Sequence, residues 1–153
     1  MVVCVAVPLA VGGISSMIAT NIAGKYDVLE TPFLAPPGWL FPIVWTILFI
    51  LMGLASWNIW IAGKREPRKQ AESRKLLVVY GVQLFFNFCW SIVFFGLGWY
   101  WLAFVWLMVM WGMIVYLVAR SREVSMVAMW MLVPYLLWTT FAAYLNLSYA
   151  ILN

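Results

Sequence analysis

The sequence predicts an all-α membrane protein, a bundle of five transmembrane helices, from three observations. Residues 76–119 run forty-four positions without a charged side chain, broken only by the small turn Gly96-Leu97-Gly98. The 153-residue chain is 67% hydrophobic and 9% charged, with a mean hydropathy of +0.99. Its few charges gather in short stretches and leave five windows free of them. A bilayer core needs roughly 20 apolar residues per helix, so residues 76–119 alone hold two crossings joined by a hairpin. A soluble domain of this size does not bury that much apolar surface. Continuous apolar runs, in place of alternating strands of roughly ten residues, argue against a membrane barrel.

The spans follow the windows: 2–22, 40–62, 76–95, 99–118 and 125–151. The first lacks the basic residues that precede a signal-peptide core, and its apolar run is long for one, so it is expected to be a retained helix. The connection 23–39 holds Pro32, Pro36, Pro37 and Gly38, which favours an extended, semi-rigid segment. The connection 64–75 carries six basic and two acidic residues, and the fourth carries Arg120, Arg122 and Glu123. One membrane domain spanning 1–153 is expected, with no internal repeat of the kind transporters use.

Charge placement predicts orientation. The second and fourth connections share one side and hold eight of the nine Lys and Arg residues; only Lys25 lies elsewhere. That places the N-terminus inside and the C-terminus outside a cell membrane. The same placement accounts for the net charge of +4, so a nucleic-acid partner is not expected. The chain has no histidine, which removes imidazole general bases, His-dependent triads and the usual haem ligand. No Asp, Glu, Lys or Arg lies in the middle of a span, which argues against proton-coupled export and leaves no acid/base pair for hydrolysis. Cys89, Ser91 and Thr139 have no activating base nearby in sequence and read as structural. No metal site and no obligatory cofactor are expected.

Within the spans, polar and aromatic residues recur at helical spacing. Gln83, Asn87 and Ser91 are four apart and share one face of span three, flanked by Trp90 and Phe94. Such a stripe serves interhelical hydrogen bonding or lines a pocket, and the two uses are compatible. Trp45, Phe49 and Met52 share a face of span two. Tyr135, Trp138, Ala142 and Asn146 run along span five, where small Ala142 leaves room for a flat ligand or a neighbouring helix. Trp39, Trp99, Trp101 and Trp130 fall near span ends and suit the interfacial belt. Lys75, Tyr80 and Val82 fit a reversed sterol-type pattern, which an interface-anchored helix start explains better. Ser15, Ala19 and Ala23 form a small-residue face suited to close helix packing.

The stretch Tyr26-Asp27-Val28-Leu29-Glu30-Thr31-Pro32, followed by Ala35-Pro36-Pro37-Gly38-Trp39 and by Pro42-Ile43-Val44-Trp45-Thr46-Ile47-Leu48-Phe49, resembles the tryptophan-rich sensory protein/translocator protein family, also called the peripheral benzodiazepine receptor family. The likeness continues through Gly53, Trp57, Asn87, Trp90, Ser91, Phe94 and Phe95. It closes with Pro134-Tyr135-Leu136-Leu137-Trp138, Phe141-Ala142, Tyr144-Leu145-Asn146 and Asn153. The resemblance covers essentially the whole chain and implies a five-helix membrane bundle, often dimeric. It implies binding of porphyrins such as protoporphyrin IX and haem, of sterol-like lipids and of benzodiazepine-type ligands. The pocket would lie beneath the first loop, lined by Tyr26, Trp45, Phe49, Asn87, Trp90, Trp138 and Ala142. In bacterial relatives the positions of Trp45 and Trp138 are linked to light-dependent porphyrin breakdown, which makes these two the candidate photochemical residues. Two positions depart from the pattern: Leu34 stands where many relatives have tryptophan, and Phe49 where they have tyrosine. The sterol-recognition sequence of animal members is missing from the last span, which favours a bacterial type. The leading expectation is tetrapyrrole binding for sensing, transport or stress handling. The alternatives are photo-oxidative porphyrin degradation and a ligand-free packing or interaction role.

Overall fold

Four of the five helices run past their charge-free windows at one end. The computed structural model describes residues 1–22, 32 and 34–153. Among these are five helices: α1 (Val2–Ile22), α2 (Leu40–Arg65), α3 (Gln70–Ser91), α4 (Tyr100–Val124) and α5 (Met126–Leu152). Charge-free windows mark the hydrocarbon layer, whereas helices continue into the interface. Lys64 and Arg65 complement the C-terminal dipole of α2, and Glu72 complements the first turn of α3. What the charges suggest is a loop is thus mostly helix, with a short 3-10 turn at Pro67–Lys69 between.

The α3–α4 hairpin is tighter than two glycines alone would give. A π-helical turn, Ile92–Gly96, extends α3, and Gly98 turns the chain at φ +67°, a conformation that favours glycine. The α4–α5 corner is a single residue. Ser125 is extended there, and its hydroxyl accepts from the Ala128 backbone N–H, capping α5.

Inward positions recur at alternating steps of three and four. On α4 they are Ala103, Leu107, Met110, Ile114, Leu117, Ser121 and Val124; on α5 they include Ala128, Leu132, Tyr135, Thr139 and Ala142. This period is the seam of helices packed nearly side by side. Helix α5 packs on α4 and α2, α4 on α3, and α1 on α2 and α3. Lipid is as apolar as leucine, so close packing rather than transfer from water holds such seams together. At Gly53 the backbones approach closely: a Cβ there would lie 2.5 Å from the Cys4 carbonyl oxygen on α1. Helices α2, α4 and α5 and the α3 segment are long and apolar enough to cross a membrane, and residues 2–18 form a shorter apolar helix.

Candidate functional site

A cavity of about 1050 Å³ opens within the bundle, at the ends of the helices away from the basic connections. Helix α1 contributes Leu9, Gly12, Gly13, Ser15 and Ser16, and residues 34–38 border the mouth. The rest of the wall is Phe41, Trp45 and Phe49 from α2; Asn87, Trp90, Ser91, Phe94 and Phe95 from α3 and its π turn; Tyr100 from α4; and Ala142, Leu145, Asn146 and Tyr149 from α5. The described lining contains no Asp, Glu, Lys or Arg. Its chemistry is therefore that of aromatic faces and a few neutral polar groups.

The rings brace one another. Trp45 lies 5.5 Å from Phe49, 6.3 Å from Trp90 and, edge-on, 6.2 Å from Tyr135. Trp90 stacks on Phe94 at 5.3 Å. Its indole N–H donates to Asn146 Oδ1 at 3.1 Å, and Asn146 Nδ2 donates to the Tyr100 carbonyl at 2.9 Å. With its N–H engaged, Trp90 offers the cavity a π face. Asn87 Nδ2 donates to the Tyr135 hydroxyl at 3.1 Å, and that hydroxyl donates to Gln83 Oε1 at 2.9 Å.

Of the expected pocket residues, Trp45, Phe49, Asn87, Trp90 and Ala142 converge on this one cavity. Tyr26 lies outside the described residues, as does Ala23, and of the Ala19 side chain nothing is described. Trp138 does not join the wall. It meets Phe41 edge-on at 5.9 Å and borders a shallow apolar groove with Val44, Ile47, Leu48, Leu51, Pro134, Leu137 and Phe141. The seam explains this: Thr139 takes the inward position at that turn, fully buried, and turns its neighbour toward the α2 flank.

The polar stripe divides. Asn87 and Ser91 line the cavity, whereas Gln83 is buried outside it in interhelical contact. The Ser91 and Thr139 hydroxyls donate to carbonyls of their own helices. Met52 is buried and lies off the lining. Trp39, Trp99, Trp101 and Trp130 all face outward. Tyr80 turns into the core while Lys75 and Val82 are exposed, so the three do not share a surface. Ser15 is buried against the cavity, and its hydroxyl donates to the Gly12 carbonyl at 3.0 Å.

Sequence reasoning passed over Phe41, Tyr100, Leu145, Tyr149 and the α1 wall. Tyr149 continues the α5 face three residues beyond Asn146, and Gly12-Gly13 with Ser15-Ser16 is a visible cluster of small residues. Tyr100 depends on the hairpin geometry and carries no such signal.

A bundle of apolar helices around an aromatic cavity, uncharged among the described residues, defines a polytopic membrane protein. Comparison with known proteins gives its family. The model of the TspO/MBR family matches residues 4–152, and the chain belongs to that family. It is 38% identical to the tryptophan-rich protein TspO of Chlorobaculum tepidum, over 100% of this chain and 95% of that one. It is 31% identical to the protein of that name in Archaeoglobus fulgidus, over 95% and 91%. It is 37% identical to the tryptophan-rich sensory protein of Cereibacter sphaeroides, over 84% and 76%. The chain is an integral membrane protein.

Proposed function

We propose that this protein binds a flat, largely apolar tetrapyrrole, such as protoporphyrin IX or haem, in the intra-bundle cavity, in the service of sensing, transport or stress response. One observation carries the reading: a cavity of about 1050 Å³ walled, among the described residues, by eight aromatic side chains and no charged one. Ligand sites commonly span roughly 300–1,000 Å³, so this one suits a macrocycle better than a small fragment. Aromatic faces stack on the ring system, and Asn87 supplies a polar contact at the floor. Without histidine, haem would be held without imidazole. Sterol-like lipids and benzodiazepine-type molecules are further guests of the same chemistry. The membrane is taken to be a bacterial cell membrane, with the basic connections and N-terminus inside, the mouth outside, and a second copy as the partner for a homodimer.

A second reading is light-driven oxidation of the porphyrin with dissolved dioxygen as the oxidant. What favours it is Trp45 on the wall within 6.3 Å of Trp90, two oxidisable indoles beside the guest. Trp138 would act only from behind Phe41. The test is a titration of the purified protein with protoporphyrin IX in darkness, followed by illumination. Saturable binding with an unchanged pigment supports the carrier or sensor reading. Binding followed by a new absorbing product that Trp45→Phe abolishes supports the chemistry. No saturable binding refutes both.

A further inference from the structure

We propose that Gln83, Tyr135 and Asn87 form a reversible hydrogen-bond relay that carries the polarity of a bound ligand from the cavity floor into the packed half of the bundle. The inference rests on the cavity being the ligand site. All three side chains are at most 1% exposed, and only Asn87 touches the cavity. The Tyr135 hydroxyl accepts from Asn87 Nδ2 and donates to Gln83 Oε1, so it is used in both directions at once. Gln83 Nε2, at the far end, is buried without a hydrogen-bond partner among the described residues. An orphaned amide donor is destabilising, and in a membrane no water stands ready to relieve it.

The opposite direction of the same chain is available at small cost. The oxygen and nitrogen of a terminal amide are nearly isosteric, so half-turns of Gln83 and Asn87 exchange them in place. Gln83 Nε2 then donates to Tyr135, and Tyr135 donates to Asn87 Oδ1. Two hydrogen bonds remain, and the orphan becomes a carbonyl, which tolerates isolation better than an N–H. The Tyr135 ring need not move; it stays edge-on to Trp45, and only its hydroxyl rotates.

What differs is the atom Asn87 shows the cavity. In the arrangement seen, Asn87 Nδ2 is engaged with Tyr135 and Oδ1 is the atom left to accept from a donor such as a hydroxyl. In the reversed one Nδ2 is left, and it donates to an acceptor such as a porphyrin carboxylate. Each direction keeps two hydrogen bonds and leaves one buried amide atom of Gln83 unpaired, so a ligand hydrogen bond at Asn87 biases the choice between them. Ligands of opposite polarity at the floor therefore leave Gln83 in opposite states, one helical turn deeper in the bundle.

The test labels Asn and Gln side chains with ¹⁵N in the full chain, reconstituted in nanodiscs. The first arm needs no ligand. Asn87→Asp at alkaline pH places an acceptor-only group at the floor, which forces the reversed direction. The Gln83 Nε2 protons then move downfield as they gain a bond, and adding Tyr135→Phe abolishes the shift. An unmoved Gln83 signal, or one that moves equally without the Tyr135 hydroxyl, overturns the relay. If Asn87→Asp does not fold, Gln83→Leu replaces it. Tyr135 is then left with Asn87 Oδ1 as its stronger acceptor; the Met110 sulfur at 3.8 Å is a weak one that Met110→Leu removes in the same variant. The Asn87 amide protons lose their protein partner, and unchanged Asn87 signals overturn the relay. The second arm adds protoporphyrin IX, with tryptophan quenching reporting binding. The relay predicts that Asn87 and Gln83 both respond in the wild type, while only Asn87 responds in Tyr135→Phe. Quenching with a silent Asn87 or a silent Gln83 overturns the ligand coupling. Absence of quenching refutes the tetrapyrrole reading and leaves the first arm to decide the relay.

Discussion

The two ends of the bundle use the same helix faces for opposite purposes. Toward the basic connections, α2 turns in Ala55 and Ile59, α3 turns in Leu76 and Leu84, and α5 turns in Ala128 and Leu132, all at most 5% exposed. Toward the other end, the continuations of those faces are Trp45 and Phe49, Asn87 and Trp90, and Ala142 and Asn146, and they surround open space. The inward period does not change; the side chains do. Aliphatic residues of intermediate size interdigitate and fill a seam. Large flat rings facing small residues leave a gap between them, and α1 adds glycine and serine on the remaining side. The cavity in this fold is therefore a helix seam whose packing was left incomplete at one end, and a solid seam at the other end holds it open.

The sharpest break of this contrast compares Leu132→Ala with Trp45→Ala. Leu132 is fully buried in the solid half. Its truncation should destabilise by roughly 2–5 kcal/mol, toward the lower figure because lipid offers no transfer penalty, with porphyrin affinity of the folded fraction kept. Trp45 already borders empty space, so Trp45→Ala should cost less stability and far more affinity. Unfolding in graded denaturing detergent, run beside a porphyrin titration, separates the two; equal stability losses would erase the distinction between the halves. Next, Gly53→Ala should cost roughly 1–3 kcal/mol, as overpacking does, since the new methyl would meet the α1 backbone at Cys4 and Val5. A thermal melt that is unchanged would show that α1 yields freely.

Smaller effects sit at the mouth and the basic edge. Ala35 N–H closes a turn on the Pro32 carbonyl at 3.1 Å, with Leu34 at φ 71°, a region costly for a side-chain-bearing residue. Leu34→Gly should raise stability by up to about 1 kcal/mol, while removing an isobutyl group from the mouth and speeding ligand exchange in stopped-flow quenching. The smallest effect is at Glu66. Its carboxyl is held below the usual carboxylate range, chiefly by the hydrogen bond from Lys69 and further by the charges of Lys69 and Arg68. A depressed acid stabilises the fold above its unfolded pKa and loses that contribution as pH falls through the folded one. Glu66→Gln should therefore lower the melting temperature slightly at neutral pH and leave it unchanged in acid, flattening the acid side of the profile. The effect is small because these ion pairs lie at the surface, with the Glu66 side chain 40% exposed.

Most of the fold was legible because one signal, absence of charge, marks the bilayer directly. The five windows became five helices, and the differences lie where helices enter the interface, as at Lys64-Arg65 and at Gln70. The site was legible where spacing or family likeness pointed inward, as for Asn87 and Ala142. It was not legible where one residue of helical phase decides the outcome. Trp138 and Thr139 are neighbours, and a regular face drawn through Tyr135, Trp138 and Ala142 admits either; packing against α2 and α4 selects Thr139. Tyr100 enters the wall through the Gly98 turn and the π turn before it, which hydropathy does not encode.

The account stands most directly on Ala142, a small residue, 7% exposed, at the junction of the solid and open halves. Ala142→Leu should fill part of the cavity without disturbing the seam below. The measurement is a dark titration of wild type and Ala142→Leu with protoporphyrin IX, read by tryptophan quenching, with melting curves for both. The account predicts saturable one-to-one binding by the wild type, at least about tenfold weaker binding by the variant, a loss of about 1.4 kcal/mol, and matching melting temperatures. Equal affinities in two equally stable proteins would contradict it.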